Sequence, residues 1–93
     1  MFILKVTRQF DKDVALLKKR SVKNELLIKS FLKLLQVDGA KGIPAKNKPH
    51  KLKGNYVGNW EAHIKPDMLI IWFEITEDKE IILLRLGSHS DLF

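Results

Sequence analysis

The sequence predicts an α+β fold in which two N-terminal helices pack on a mostly antiparallel four-stranded sheet, in the order β-α-α-β-β-β. Three observations carry that expectation. Apolar residues recur at helical spacing between residues 8 and 38, strand-like alternation and apolar runs dominate after residue 59, and a stretch rich in glycine and proline separates the two.

Phe2, Leu4 and Val6 alternate with Ile3, Lys5 and Thr7, a first strand with one apolar and one mixed face. Thr7 is placed to cap a helix over residues 8–20. There Phe10, Val14 and Leu17 recur at i, i+4 and i+7, while Lys18, Lys19 and Arg20 suit the negative C-terminal end. Ser21 caps a second helix whose apolar stripe reads as Val22, Leu26, Leu27, Phe31, Leu34 and Leu35, with Lys23, Lys29 and Lys33 opposite; Asp38-Gly39 ends it. Residues 39–58 hold Gly39, Gly42, Pro44, Pro49, Gly54 and Gly58 and too few apolar residues for a regular element. A compact domain rarely keeps so long a loop unless the loop has work to do. Trp60, Ala62 and Ile64 then alternate with Asn59, Glu61 and His63, and Lys65-Pro66-Asp67-Met68 supplies a turn. Leu69 to Ile75 is a nearly continuous apolar strand of the central kind, and after a turn at Thr76 to Lys79 the last strand runs from Glu80 to Leu86. Trp60, Trp72 and Phe73 are assigned to the core.

With 93 residues the chain makes one domain, 1–93, burying only about 60–65% of its unfolded surface. It has no cysteine, which excludes disulfides and thiolate metal sites and suits a reducing cytosol. The longest apolar run, Met68 to Phe73, is far short of a membrane span, and Met1 to Leu4 lacks the basic flank of a signal peptide. A soluble, cytoplasmic protein with no membrane contact is expected. The net charge of +6 is unevenly spread. Residues 1–38 carry nine basic and four acidic side chains, residues 39–60 five lysines and no acid, and residues 61–93 three basic and seven acidic. Lys46, Lys48, Lys51 and Lys53 thus fall in a purely cationic loop that attracts a polyanion, with nucleic acid the commonest such partner.

All three histidines, His50, His63 and His89, lie in that loop or in the C-terminal strand region, together with Asp67 and Arg85. A hairpin of residues 59–65 and 67–75 sets His63 and Asp67 on either side of its turn, and Arg85 and His89 share a side if the last strand continues past Leu86. RNA cleavage needs such a mixture: a base for the 2′-OH proton, a fixed cation for the charge on phosphorus, and an acid for the departing 5′ oxygen. Histidine performs either proton transfer near neutral pH, and the planar fork of arginine matches phosphate. Each residue also has a plain structural role open to it. His50 follows Pro49 in a loop, His63 suits the open face of a strand, Asp67 suits a turn, and Arg85 suits an internal ion pair. Tyr56 and Phe93 are placed to stack on bases. There is no HExxH or similar close pair, so neither a metal site nor a cofactor is expected.

The segments His50-Lys51-Leu52-Lys53-Gly54, Ala62-His63-Ile64-Lys65-Pro66-Asp67 and Leu84 to Phe93 resemble the YafQ-like branch of the RelE/ParE toxin superfamily. The likeness covers the whole chain in length and element order, with its specific motifs in the second half. It implies the toxin of a bacterial type II toxin–antitoxin module, an endoribonuclease that cleaves mRNA, free or on the ribosome, without a metal and is silenced by a cognate antitoxin protein. It further implies catalytic roles at His50, His63, Asp67, Arg85 and His89 and an RNA contact at Phe93. His89 would be the general acid, Arg85 the phosphate clamp and His50 or Asp67 the base, with His63 orienting Asp67 or the phosphate. Some YafQ-like toxins carry an aromatic where this chain has Met68, which leaves base stacking there open. The rivals are a ParE-like toxin directed at DNA gyrase, a group without this histidine set, and a non-catalytic basic RNA-binding module. Removing residues 88–93 is expected to take little from the core.

Overall fold

The structure, a computed structural model, describes residues 1–93, the side chain of Asn55 excepted. Strand β1 (Ile3–Val6) leads through Thr7 into helix α1 (Arg8–Arg20), and Ser21 separates α1 from α2 (Val22–Asp38). The Thr7 hydroxyl accepts the Phe10 amide at 3.2 Å and donates to the Leu83 carbonyl at 2.9 Å, so one group starts the helix and ties it to the last strand. Ser21 Oγ accepts the Lys23 amide, and the buried Asn24 amide nitrogen donates to the Leu17 carbonyl at 2.8 Å, closing the end of α1.

Gly39 ends α2 at φ 66, and a Cβ there would lie 2.8 Å from Glu74 Oε1. Both the left-handed backbone and the close carboxylate demand glycine. That carboxylate accepts the Ala40 amide and the Trp72 indole N–H, anchoring the loop to the sheet. Short 3-10 turns at Gly39–Gly42, Ala45–Asn47 and Gly54–Tyr56 alternate with β2 (His50–Lys51); β3 (Trp60–Lys65), β4 (Met68–Ile75), β5 (Glu80–Gly87) and helix α3 (His89–Leu92) follow.

The sheet has five strands in the order β1-β5-β4-β3-β2, one more than expected. The extra strand is β2, whose two residues are exposed and too few to show alternation in the sequence. Strands β2 to β5 are antiparallel, whereas β1 runs parallel to β5 with Ile3 opposite Glu80 and Val6 opposite Leu83. Helices α1 and α2 cover one face through Phe10, Leu17, Ile28, Phe31 and Leu35, packed on Ala62, Met68, Ile70, Trp72, Ile81, Leu83 and Leu86. Phe31 meets Trp72 edge-on at 6.1 Å, and Trp60 stacks on Trp72 at 6.4 Å.

Helix α2 departs from its expected stripe. Its buried side is Asn24, Ile28, Phe31 and Leu35, a single row at i, i+4, i+7 and i+11, while Val22 and Leu26 are 81% and 69% exposed and Leu27, Leu34 and Val37 also face outward. The helix is apolar almost all round, so the sheet rather than the pattern chose the inner side. Phe73, assigned to the core, is exposed. No helix is long and apolar enough to cross a membrane among the described residues.

Candidate active site

The sheet face away from α1 and α2 carries the chemistry. A second, smaller apolar cluster of Leu69, Ile71 and Leu92 lies there, flanked by Leu52, Tyr56 and Leu84. Around it the strand register sets two transverse rows, since residues directly opposite one another share a face. In one row His50 lies opposite Glu61, Glu61 opposite Ile71, and Ile71 opposite Arg85; in the next, His63 lies opposite Leu69 and Leu69 opposite Gly87. The β4–β5 register shifts so that Ile71 faces Arg85 and Trp72 faces Leu83, which leaves Leu84 as the extra residue of a bulge. Such bulges re-aim a neighbouring side chain.

Arg85 is aimed at a specific acceptor. Because β1 stops at Val6, β5 has an open edge beyond Leu83, and α1 fills it with the buried Asp13. Asp13 Oδ2 accepts Arg85 Nε and the Leu86 amide, each at 2.9 Å, and Oδ1 accepts Gln9 Nε2 at 3.1 Å. This hydrogen bonding to Asp13 drives the Arg85 guanidinium further above its ordinary pKa, with partial burial opposing and Tyr56 assisting. The internal ion pair is therefore real, and it grips the guanidinium mainly through Nε. The sequence reading had passed over Asp13, although it falls on the same side of α1 as Phe10 and Leu17, where an acid needs a partner.

From Arg85 the site extends through aromatics. Tyr56 lies beside Arg85, Phe93 meets Tyr56 edge-on at 5.7 Å, and the His89 ring lies 5.0 Å from Phe93. The strand does not continue to His89: it ends at Gly87, and Ser88 caps α3 through a reciprocal pair in which Ser88 Oγ accepts the Asp91 amide and Asp91 Oδ2 accepts the Ser88 amide. His89 thus sits exposed in the first turn of a helix folded back over the open face. Leu92 of that helix is 6% exposed, so removing residues 88–93 would strip a core side chain, contrary to the sequence expectation.

His63 and Asp67 are not brought together. His63 borders a cleft of about 560 Å³ with Lys46, Asn47, Lys48 and Lys65, and the Asn47 amide holds the His63 carbonyl at 2.7 Å. Asp67, its side chain 80% exposed in the tight Pro66-Asp67 turn, instead borders a smaller cleft with Arg20, Asn24 and Ser88, and its ion-pair neighbour is Lys65 at 3.9 Å. A register shift between His63 and Lys65 separates the two positions. Met68, one residue on, is buried in the helix-side core and has no free face for a base. His50 is held twice, with Nδ1 2.7 Å from the Lys48 carbonyl and Nε2 3.2 Å from the buried Glu61. Lys46, Lys48, Lys51, Lys53 and Phe93 are all exposed, and Lys51 lies over the Trp60 ring at 5.6 Å. Another hollow, about 600 Å³ and lined by Phe2, Ile43, Trp60 and Glu74 among others, contains no histidine. Its mostly carbon walls and its carboxylate suit a phosphate poorly.

Residues 3–93 match the family described as the bacterial toxin of type II toxin–antitoxin systems, YafQ. The mRNA interferase toxin YafQ of Escherichia coli K12 is 35% identical over 85 residues, covering 91% of this chain and 88% of that protein. The crystal structure of YafQ from E. coli BL21(DE3) superposes with a TM-score of 0.87 at 31% identity, covering 100% of this chain and 99% of that one. YafQ in the E. coli DinJ–YafQ complex gives 0.78 at 32% identity, with the same coverage. The open-faced sheet, its edge arginine and its cationic loop are thus those of a known architecture, and the chain belongs to the YafQ family of bacterial toxins of type II toxin–antitoxin systems.

Proposed function

We propose that this chain is a metal-independent endoribonuclease that cleaves mRNA and blocks translation in the cytoplasm until a cognate antitoxin protein covers it. The observation that carries this reading is Arg85, held through Nε by a buried carboxylate on the same open face as the exposed His89. The relatives named mRNA interferase and solved with an antitoxin support it. In the proposed step the 2′ oxygen attacks phosphorus as its proton passes to a base, the P–O5′ bond breaks, and the 5′ oxygen is protonated. The products are a 2′,3′-cyclic phosphate and a 5′-hydroxyl. Arg85 stabilises the charge that builds on the phosphate oxygens and His89 is the acid. Asp67 is the base, since its carboxylate is exposed and borders the cleft at Ser88, whereas both nitrogens of His50 are engaged. His63, with Lys46 and Lys48 beside it, contacts the RNA backbone, and Phe93 offers a ring for base stacking.

The test is cleavage of a defined RNA in EDTA, with and without ribosomes, by wild type, Arg85→Ala and His89→Ala. Cyclic-phosphate ends from wild type alone support the reading. Equal toxicity of wild type and His89→Ala would favour a non-catalytic RNA-binding module, and cleavage abolished by EDTA would overturn metal independence.

A further inference from the structure

Glu61 is a buried acid that the proposed mechanism leaves unused. It is 6% exposed, lies directly opposite His50 across the β2–β3 pair, and shares its row with Ile71 and Arg85. Of its two oxygens, Oε1 lies 3.2 Å from His50 Nε2, while Oε2 is buried without a hydrogen-bond partner. A carboxylate so placed is costly unless a cation or a proton accompanies it. The other nearby cations are committed elsewhere among the described residues: Lys51 lies over Trp60, and Arg85, beyond Ile71, is taken by Asp13.

Counting hydrogens at the His50 ring gives Glu61 a role. Nδ1 faces the Lys48 carbonyl at 2.7 Å, and a carbonyl only accepts, so Nδ1 carries a hydrogen. Nε2 faces a carboxylate oxygen, and that contact also needs a hydrogen, whether it sits on the ring or on Glu61. The pair therefore holds one shared proton, and His50 presents no free lone pair to a 2′-OH.

We propose that Glu61 is a positioning residue for His50: it fixes the ring and keeps a proton at Nε2, so that His50 offers a hydrogen to a phosphate oxygen instead of acting as the base. The proposal rests on the RNA-cleaving reading above. The half-exposed ring leaves room for a phosphate oxygen to share that N–H, and the length of the contact to Glu61 favours such sharing.

Two measurements test it on the full chain. In NMR spectra without RNA, the His50 Nδ1–H of wild type should exchange slowly enough to be seen and should be lost in Glu61→Gln, with the rest of the spectrum kept. In single-turnover cleavage, Glu61→Gln should lower the maximal rate about 10- to 100-fold, as for other residues that orient a working histidine, with half-saturation unchanged. The double variant with His50→Gln should be no slower than His50→Gln alone. Glu61→Asp, which keeps the charge but withdraws it by one methylene, should behave as Glu61→Gln, and it replaces that variant if Glu61→Gln does not fold. A retained ring N–H in the variant, an unchanged rate, or effects that multiply in the double variant would each overturn the role of Glu61. Wild type that shows the ring signal but cuts no RNA under any condition would refute the nuclease reading and leave the Glu61–His50 pairing established.

Discussion

At the scale of single residues, the guanidinium of Arg85 is the most constrained group of the site. Lysine has a single ammonium and cannot serve Asp13 and a phosphate together, so Arg85→Lys is expected to lower the cleavage rate about 100-fold, as loss of one transition-state donor does. Rates on a defined RNA measure this. Asp13→Ala is expected to destabilise the fold by about 2–3 kcal/mol in urea unfolding, because it strands the buried Leu86 amide and loosens α1 from β5. The identity of the site residues was legible in the sequence, since polar side chains in an apolar half stand out. Their partners were not. Asp13 and Glu61 look like ordinary surface acids until β1 stops short of Arg85 and β2 pairs with β3, and both events are tertiary.

At the scale of elements, α3 shows how a short polar segment becomes structure. Its capping box draws the Asp91 carboxyl below its ordinary value of 3.8, first through the Ser88 amide, then the Ser88 hydroxyl and Arg20. A carboxyl that binds protons less readily in the folded state contributes stability above the unfolded value, and this is lost as pH falls through the lowered one. The contact between Phe93 and Tyr56, followed by ring NMR signals, should therefore persist at neutral pH and loosen below about pH 3.8. In Asp91→Asn it should be loose throughout. Leu92→Ala is expected to cost about 2 kcal/mol by opening the small cluster under the site. Helix and strand boundaries were largely legible, because Thr7, Ser21 and Asp38-Gly39 carry capping chemistry that needs no tertiary context. The inner side of α2 was not: with apolar residues on every side, Val22 and Leu26 looked as fit for burial as Ile28.

At the scale of the whole molecule, charge decides how RNA is held. If Lys46, Lys48, Lys51 and Lys53 each neutralise a phosphate, changing all four to glutamine should flatten the log–log salt dependence of RNA binding by about 3, at about 0.7 per single-strand contact. Fluorescence anisotropy with the Arg85→Ala background would measure this without cleavage. The parallel pairing of β1 with β5 has a consequence of another kind. Ile3 finds Glu80, Thr7 finds the Leu83 carbonyl and Asp13 finds Arg85, so β1 and α1 wait for partners synthesised more than 70 residues later. Pairings this distant in sequence close late. A growing chain is thus harmless until β5 leaves the ribosome, and the toxin cannot cut the message from which it is being read before its own translation is nearly done.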